Sequence, residues 1–255
     1  MSARAIAVIP ARYDSTRFPG KPLADKTGKP LIQHVVEQVR RTHRVVRIIV
    51  ATDDQRIIDA VEACGSEAMM TRKDHPNGTC RIAEVVEKLQ TEYREKGEIM
   101  PRIIVNVQGD EPDVEPEVID KLIDGLDNDS EAGMATLASE FAPDEDPADP
   151  NIVKLILNQK GHAIYFSRSL IPHDRDGKGE NKPLKHPGLY AYRPDFLMKY
   201  VTLEETPLER TEMLEQLRAI EHGYPIAVIK ANIQHHGIDT PEQYEEFLQR
   251  FNQNK

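Results

Sequence analysis

The chain has 255 residues, of which 39% are hydrophobic and 30% are charged, and its formal net charge at pH 7 is −10. This length is enough for one α/β domain with a large core, and the acidic balance argues against binding to nucleic acid or to an anionic membrane surface. The apolar runs are too short to span a bilayer, no signal sequence is evident and there are only two cysteines, Cys64 and Cys80, which together predict a cytoplasmic protein.

The first half of the chain alternates apolar runs, typical of buried strands, with segments of helical periodicity. The predicted strands are Ala5–Ile9, Arg47–Ala51, Arg102–Val107 and Gly133–Ala138. The predicted helices are Pro30–Thr42, Gln55–Cys64, Gly78–Lys96 and Pro116–Leu126. This βαβαβ succession predicts a parallel sheet with helices on both faces.

The second half begins with an acidic, proline-rich loop and a hairpin formed by Ile152–Leu157 and Ala163–Ser167. Two further strands and three helices follow, with these predicted bounds: Leu189–Tyr192, Ile226–Ala231, Pro194–Tyr200, Leu208–His222 and Pro241–Phe251. We predict a single domain over 1–255. Its α/β core covers about 1–138 and 189–255, and a smaller lobe is inserted at about 139–188.

A cationic loop follows the first strand and is the most informative segment of the chain. It carries Arg12, Arg17 and Lys21 among prolines and a glycine. Because ligands bind at the carboxyl ends of the strands in open α/β sheets, these cations predict a polyphosphate site. The alternative is a solvated basic loop.

Two carboxylates also follow predicted strands or precede a helix. Asp110 lies in Q-G-D-E-P at 108–112, and Asp239 lies in G-I-D-T-P at 237–241. Next to a polyphosphate, carboxylates are typical ligands of Mg²⁺. The alternatives are a turn residue for Asp110 and a helix N-cap for Asp239.

Four weaker signals each have an ordinary structural explanation as well. Arg81 lies in a turn that opens a helix, Arg168 ends a hairpin strand, and His186 lies in a loop, whereas Glu215 and Gln216 lie on a predicted helix. The chain lacks the common P-loop, dinucleotide and serine-hydrolase motifs and offers no covalent nucleophile. Positioning and electrostatics remain, and nucleotidyl transfer depends mainly on these two effects.

At this point the sequence resembles the 3-deoxy-manno-octulosonate (Kdo) cytidylyltransferases over nearly its whole length. The resemblance rests on I-P-A-R-Y-D-S-T-R-F-P-G-K-P-L at 9–23, A-T-D-D at 51–54, N-V-Q-G-D-E-P at 106–112, Y-F-S-R at 165–168, L-E-Q-L-R at 214–218 and G-I-D-T-P at 237–241. The motif at 9–23 also occurs in the wider nucleotidyltransferase class. The motifs at 106–112 and 165–168 together restrict the resemblance to the Kdo branch of that class.

The resemblance implies a Rossmann-like, GT-A-like three-layer α/β sandwich with a smaller hairpin-containing dimerisation lobe, and a homodimer. It implies Mg²⁺-dependent transfer of CMP from CTP to an acidic 3-deoxy-octulosonate sugar for lipopolysaccharide synthesis. The residues that would hold the CTP are Arg12, Ser15, Arg17, Lys21 and Gln108. Asp110 and Asp239 would bind the metal, and Arg12, Lys21 and Asp110 would be catalytic. The residues that would bind the sugar are Arg81, Arg168, His186, Glu215 and Gln216.

The sequence departs from the usual family pattern at positions in the stretches assigned to the sugar, namely Asn77, Cys80, Pro187 and Met213. Kdo itself and its 8-amino-3,8-dideoxy analogue therefore both stay open. The competing interpretations are a cytidylyltransferase for another acidic sugar, such as a sialic-acid-like sugar, and a non-catalytic sugar-nucleotide-binding protein. The preference for CTP over UTP rests on the resemblance alone.

Overall fold

The computed structural model describes residues 4–14, 17–179, 182–232 and 237–253. Its chain divides into two units: the first unit contains Met1–Asp120 and Gln234–Lys255, and the second contains Lys121–Ile233. The bounds of these units differ from those of the predicted lobe at 139–188, which stays a prediction. None of the helices within the described ranges has the length and apolar character needed to cross a membrane.

The elements confirm the mixed α/β class. The strands are β1 (Ala5–Ala11), β2 (Val45–Thr52), β3 (Glu67–Met70), β4 (Ile103–Asn106), β5 (Met134–Glu140), β6 (Lys154–Leu157), β7 (Ala163–Ser167), β8 (Leu184–Lys185), β9 (Tyr190–Tyr192) and β10 (Ile226–Lys230). The helices are α1 (Leu31–Val39), α2 (Gln55–Ala63), α3 (Gly78–Lys96), α4 (Pro116–Asn128), α5 (Pro194–Tyr200), α6 (Pro207–Glu212), α7 (Leu217–Glu221) and α8 (Pro241–Gln253). A 3₁₀ helix covers Lys21–Leu23.

The first unit contains a parallel sheet with the strand order β3-β2-β1-β4. Strand β1 lies between two neighbours, and its residues from Ala5 to Ile9 are fully buried, which explains their continuous apolar run. Strand β3 was not predicted, because its four residues E-A-M-M are only partly buried and show no alternation.

Helix caps in the first unit follow the sequence closely. The Asp54 side chain accepts from the Arg56 N–H at the start of α2. The Asn77 side chain likewise accepts from the Cys80 N–H at 2.9 Å and begins α3. Asp and Asn are preferred at this position because their side-chain oxygens accept from the unpaired N–H groups of the first helical turn.

The last helix returns to the first unit and fixes the segment that carries Asp239. Ile238, Tyr244 and Phe247 form one buried cluster with Leu31 of α1. Because Ile238 is 1% exposed, the residue next to Asp239 is anchored in the core. Hydrophobic packing therefore sets the position of the backbone that carries Asp239.

The second unit is built around β5, which pairs in parallel with β10 and antiparallel with β8 and β9. Strands β6 and β7 form the predicted antiparallel hairpin. Asn158 begins its turn, since its side chain accepts from the backbone N–H groups of Lys160 and His162.

The helix predicted over Leu208–His222 is wrong. Helix α6 ends at Glu212, Met213 adopts a left-handed conformation with φ of 54°, and α7 begins only at Leu217. The Glu212 carboxylate accepts from the Ser167 hydroxyl at 2.6 Å and from the Arg168 N–H at 2.9 Å. These tertiary hydrogen bonds form at the point where the helix is interrupted. They override the helical periodicity of the local sequence.

Candidate active site

Two loops meet through their backbones in the first unit. The Ile238 N–H donates to the Asp110 carbonyl at 2.9 Å, which brings the segment before α8 against the loop after β4. Gly109 lies beside the end of β1, and a Cβ at this position would be 2.8 Å from the Pro10 carbonyl oxygen. Only glycine therefore allows this close approach of the loop after β4 to the end of β1.

Lys21 lies between the two predicted metal-binding carboxylates. Its ammonium donates to Asp110 Oδ2 at 2.7 Å and to Asp239 Oδ1 at 3.4 Å. It also donates to the Ile238 carbonyl at 2.6 Å, and its side chain is only 13% exposed. Three oxygen atoms thus converge on one cation.

The cations of the loop after β1 surround a cavity of about 410 Å³. The predicted residues that line it are Arg12, Arg17, Lys21, Arg81, Gln108, Asp110 and Asp239. Arg17 also pairs with Asp239 at 3.0 Å. Ser15, the remaining predicted nucleotide ligand, lies outside the described residues. Cations, carboxylates and the Gly78 N-terminus of α3 therefore share one cavity of a size that suits a nucleotide.

The donor set at this cavity fits a hard divalent cation. Asp110 and Asp239 supply carboxylate oxygens, and both carboxylates form ion pairs with the same cation, the Lys21 ammonium. Within the described ranges, no cluster of three or more His, Cys, Asp or Glu side chains is placed to bind a metal. Two carboxylates with the remaining ligands from phosphate and water is the arrangement that Mg²⁺ prefers.

Aromatic packing shapes the cationic loop. The Arg56 guanidinium lies 3.4 Å from the centroid of the Tyr13 ring, and Asp54 binds the same guanidinium at 2.6 Å. Gly20 has a φ of 70°, and a Cβ there would lie 3.2 Å from the Tyr13 hydroxyl oxygen. The cation–π contact between Arg56 of α2 and Tyr13 therefore stabilises the loop that carries Arg12 and Arg17.

Arg81 belongs to the same cavity, although the sequence assigned it to the sugar. It is 1% exposed, and its Nη2 donates to Asp53 Oδ2 at 2.8 Å while Nη1 donates to the Thr71 hydroxyl. Sequence reasoning treated Asp53 only as part of a cap before α2. The other partner of Arg81, Thr71, directly follows β3, which the sequence did not predict.

Glu111 is a second residue that sequence reasoning missed. Burial, with a smaller effect of the neighbouring Asp110 charge, raises the pKa of Glu111 to about 8. This carboxyl group is therefore mostly protonated at neutral pH, and it adds no full negative charge next to Asp110. The E in Q-G-D-E-P is visible in the sequence, but its burial is not.

The predicted residue Arg168 lies in the second unit, where the backbone holds its guanidinium. Nε donates to the Glu212 carbonyl at 2.8 Å, and Nη1 donates to the Pro150 carbonyl at 3.1 Å. The Glu212 carboxylate in turn binds the end of β7. The guanidinium keeps further N–H groups with which it can bind an anion.

Three other predicted residues of the second unit also have defined surroundings. His186 Nε2 lies 2.9 Å from the Thr136 hydroxyl, and the Glu215 carbonyl accepts from the Tyr200 hydroxyl at 2.6 Å. Gln216 is 4% exposed, and its Nε2 has no hydrogen-bond partner among the described residues. A buried amide without a partner is costly and points to a ligand that completes it.

Comparisons with known proteins agree with this chemistry. A family model described as cytidylyltransferase matches residues 6–248. The 3-deoxy-manno-octulosonate cytidylyltransferase of Thermodesulfovibrio yellowstonii is 47% identical over 245 residues, which cover 94% of this chain and 95% of the relative. That of Syntrophotalea carbinolica is 45% identical over 244 residues, which cover 92% and 94%.

Solved structures extend the likeness to three dimensions. CMP:2-keto-3-deoxy-manno-octonic acid synthetase complexed with CTP matches with a TM-score of 0.90 and 40% identity, covering 99% of this chain and all of that chain. A 4-diphosphocytidyl-2C-methyl-D-erythritol synthase from Anaerococcus prevotii shares the fold at 16% identity, with a TM-score of 0.61 and coverage of 97% and 99%. The chain therefore belongs to the cytidylyltransferase family, and within it to the 3-deoxy-manno-octulosonate cytidylyltransferases.

Proposed function

We propose that the chain transfers CMP from CTP to the anomeric hydroxyl of 3-deoxy-manno-octulosonate and releases pyrophosphate. The observation that carries this proposal is the cavity in which Lys21 contacts both Asp110 and Asp239 and Arg17 contacts Asp239. The names of relatives at 45–47% identity supply the sugar and the nucleotide. The same activity would provide an activated sugar for lipopolysaccharide synthesis.

The cations act on the triphosphate. Arg12, Arg17 and Lys21 bind phosphate oxygens, and they neutralise the charge that grows on the leaving pyrophosphate. Because the three cations already line one cavity, little reorganisation is needed when the α-phosphorus is attacked. Ser15 and Gln108 are proposed as further ligands of the nucleotide.

Cytidylyltransferases that use CTP generally need a divalent metal, and we assign its binding to Asp110 and Asp239. Mg²⁺ suits these two carboxylates, and when bound it stabilises the charge that develops on the phosphate oxygens. Lys21 contacts both carboxylates, so it keeps their negative charges compensated and their positions fixed. On binding of CTP and the metal, Lys21 would give up its contacts with the two carboxylates and would contact phosphate oxygens instead.

The sugar residues are assigned by the groups that they offer. Arg81 and Arg168 are cationic donors for the sugar carboxylate, and the buried Nε2 of Gln216 is a donor for one of its oxygen atoms. Glu215 and His186 complete the proposed set for the sugar hydroxyls. Gln216 is the best supported of these residues, because a ligand acceptor would satisfy its unpaired amide.

The sugar is tested by comparing Kdo with its 8-amino analogue. The relatives favour Kdo. The departures at Asn77 and Cys80 do not require another sugar, because the Asn77 side chain and the Cys80 N–H form the cap of α3. A higher kcat/KM for the 8-amino sugar would reverse this assignment.

A homodimer in the cytoplasm, where CTP is available, is part of the same proposal. Light scattering coupled to gel filtration would show twice the mass of the 255-residue chain. A mass equal to one chain would contradict the dimer and leave the proposed activity unaffected.

The activity is tested by measuring pyrophosphate release with CTP and Mg²⁺, with and without the sugar. We expect release that depends on both the sugar and the metal, and little release with UTP. Binding of CTP without turnover would instead favour a non-catalytic sugar-nucleotide-binding protein. Turnover only with a nine-carbon sialic-acid-like sugar would favour that alternative substrate.

A further inference from the structure

Arg81 is a buried cation in the wall of the candidate active-site cavity. Its side chain is 1% exposed, yet it lines the same cavity as Arg12 and Asp110. Nη2 donates to Asp53 Oδ2 at 2.8 Å, and Nη1 donates to the Thr71 hydroxyl oxygen. Because a guanidinium has five N–H groups, three remain for an acceptor that enters the cavity.

The Thr71 hydroxyl can serve Arg81 only as an acceptor. Thr71 is 4% exposed, and its Oγ1 lies 2.9 Å from the Thr52 carbonyl oxygen. A carbonyl only accepts and a guanidinium only donates, so the single hydroxyl hydrogen goes to Thr52. The hydroxyl is therefore tied to the end of β2, and its oxygen presents a fixed acceptor to Arg81.

Asp53 provides the second fixed acceptor and compensates the charge. Thr52 pairs with Met70 in the parallel register of β2 and β3, so Asp53 and Thr71 follow the two strands at the same edge of the sheet. The Asp53 side chain is 13% exposed, and a guanidinium buried beside it would be costly without a charged partner. Acceptors on both terminal nitrogens define the plane of the rigid guanidinium.

We propose that Thr71 and Asp53 are positioning residues, which hold the Arg81 guanidinium in one orientation so that its remaining N–H groups bind a substrate in the cavity. The proposal rests on the function proposed above, in which Arg81 donates to the sugar carboxylate. It extends the site to the ends of β2 and β3, which contact Arg81 from outside the cavity.

The first test compares Thr71→Val with Thr71→Ser. Valine keeps the volume and the charge but removes the acceptor, whereas serine keeps the hydroxyl. The Thr52 carbonyl stays paired in both, because it also accepts from the Thr71 N–H at 2.7 Å. We expect Thr71→Val to raise the KM for Kdo by about three- to tenfold, the range that corresponds to the loss of one hydrogen bond. Thr71→Ser should stay close to the original chain, and kcat should change little in either variant.

A double-mutant cycle shows whether Thr71 acts through Arg81. Arg81→Lys keeps the charge and loses the planar fork, so it should raise the KM for the substrate that Arg81 binds. Adding Thr71→Val to Arg81→Lys should raise that KM no further, since the residue that Thr71 positions is already gone. Additive effects, or a Thr71→Val that alters a different substrate from Arg81→Lys, would overturn the proposal.

Asp53→Asn separates positioning from charge compensation. A neutral amide holds the guanidinium less strongly than a carboxylate, so a positioning role predicts a higher KM for Kdo. If Asp53 only compensated charge, its removal would leave Arg81 more attractive to an anion and would lower this KM. A lower KM would therefore remove Asp53 from the proposal.

NMR of the substrate-free chain gives a readout that is independent of activity. Burial and hydrogen bonding slow the exchange of N–H hydrogens with water. We expect resolved guanidinium N–H signals that disappear in Arg81→Lys and are therefore those of Arg81. They should persist in Thr71→Ser and broaden in Thr71→Val, and unchanged signals in Thr71→Val would overturn the proposal.

Thr42→Val is the matched control. The hydroxyl and the N–H of Thr42 both bind the Val39 carbonyl, just as those of Thr71 both bind Thr52, but Thr42 does not line the cavity. This variant should change neither the KM for Kdo nor the Arg81 signals, and an equal effect in it would contradict a specific role of Thr71. If the original chain released no pyrophosphate, the proposed function would fail, and the NMR comparison would still decide whether Thr71 positions Arg81.

Discussion

The Lys21 ammonium donates to the Asp110 carboxylate at 2.7 Å, although the two residues are 89 positions apart in the chain. This ion pair joins the loop after β1 to the loop after β4. Its side chains are 13% and 29% exposed, so water screens it only in part. Three of the predictions below concern this pair or the backbone that supports it.

Lys21→Met should abolish most of the activity. Methionine keeps the length of the side chain but cannot stabilise the charge on pyrophosphate, so we expect kcat to fall by at least about 100-fold. Steady-state pyrophosphate release at saturating CTP measures this. Lys121→Met, at an exposed position of α4, is the control. If Lys121→Met also lost more than half of the activity, the effect of Lys21→Met could not be assigned to the position of Lys21 in the cavity.

Asp110→Asn should lower kcat by more than about tenfold, because the amide weakens a metal interaction that is strongest in the transition state. The measurement is turnover as a function of Mg²⁺ concentration. Asp59→Asn, an exposed residue of α2 that binds only Gln55 among the described contacts, is the control. Near-normal turnover of Asp110→Asn at saturating Mg²⁺ would contradict the assigned role.

Gly109→Ala should destabilise the first unit by about 1–3 kcal/mol, because the new methyl group would overlap the Pro10 carbonyl oxygen. The loop after β4 would have to move, and Asp110 with it, so kcat should fall as well. Urea denaturation measures the first effect. Gly188→Ala has open space around its Cβ and should leave the free energy of unfolding nearly unchanged.

Glu84→Gln should reduce stability in a way that depends on pH. Burial raises the pKa of Glu84, but hydrogen bonds from Lys88, the Arg72 N–H and His75 outweigh it and lower the pKa to about 2. Since the ordinary glutamate pKa is about 4.3, the folded state is favoured above this value by about 1–3 kcal/mol, and the gain is lost as the pH falls toward 2.

We therefore expect Glu84→Gln to unfold at lower urea concentration than the original chain at pH 7, and the difference to narrow at about pH 3. Glu87→Gln, an exposed position on the same helix, should show no such difference at either pH. A gap between the two chains that is independent of pH would show that the lowered pKa is not its cause.

Met213→Gly should stabilise the protein by about 0.5–1 kcal/mol. Met213 has a φ of 54°, a conformation that costs energy for any residue with a Cβ, and its side chain is 77% exposed, so little packing is lost. Thermal unfolding measures the change. A lower melting temperature would show that the methionine side chain contributes more than the strain costs.

Much of the fold and of the candidate site followed from local sequence. The apolar run of β1 predicted a buried strand, and Asp54 predicted the start of α2. The carboxyl ends of parallel strands lie at one edge of the sheet, and for this reason Lys21 and Asp110 were predicted to lie close together. The break at Met213 did not follow, since hydrogen bonds from Ser167 and Arg168 to Glu212 act over long distances in sequence. The contact of Asp53 with Arg81 was missed for a similar reason, because it depends on tertiary placement.

Ile238 shows how the end of the chain bears on the chemistry. Its N–H binds the Asp110 carbonyl, its own carbonyl binds Lys21, and its side chain packs with Tyr244 and Phe247 of α8. The backbone of this single residue thus links the loop that carries Asp110 to the segment that carries Asp239. Substitutions of Tyr244 or Phe247 in α8 would alter the distance between Asp110 and Asp239 without changing a residue that contacts a substrate. Fusion partners or shortened variants at this terminus should therefore be judged first by their metal dependence, before their solubility or yield.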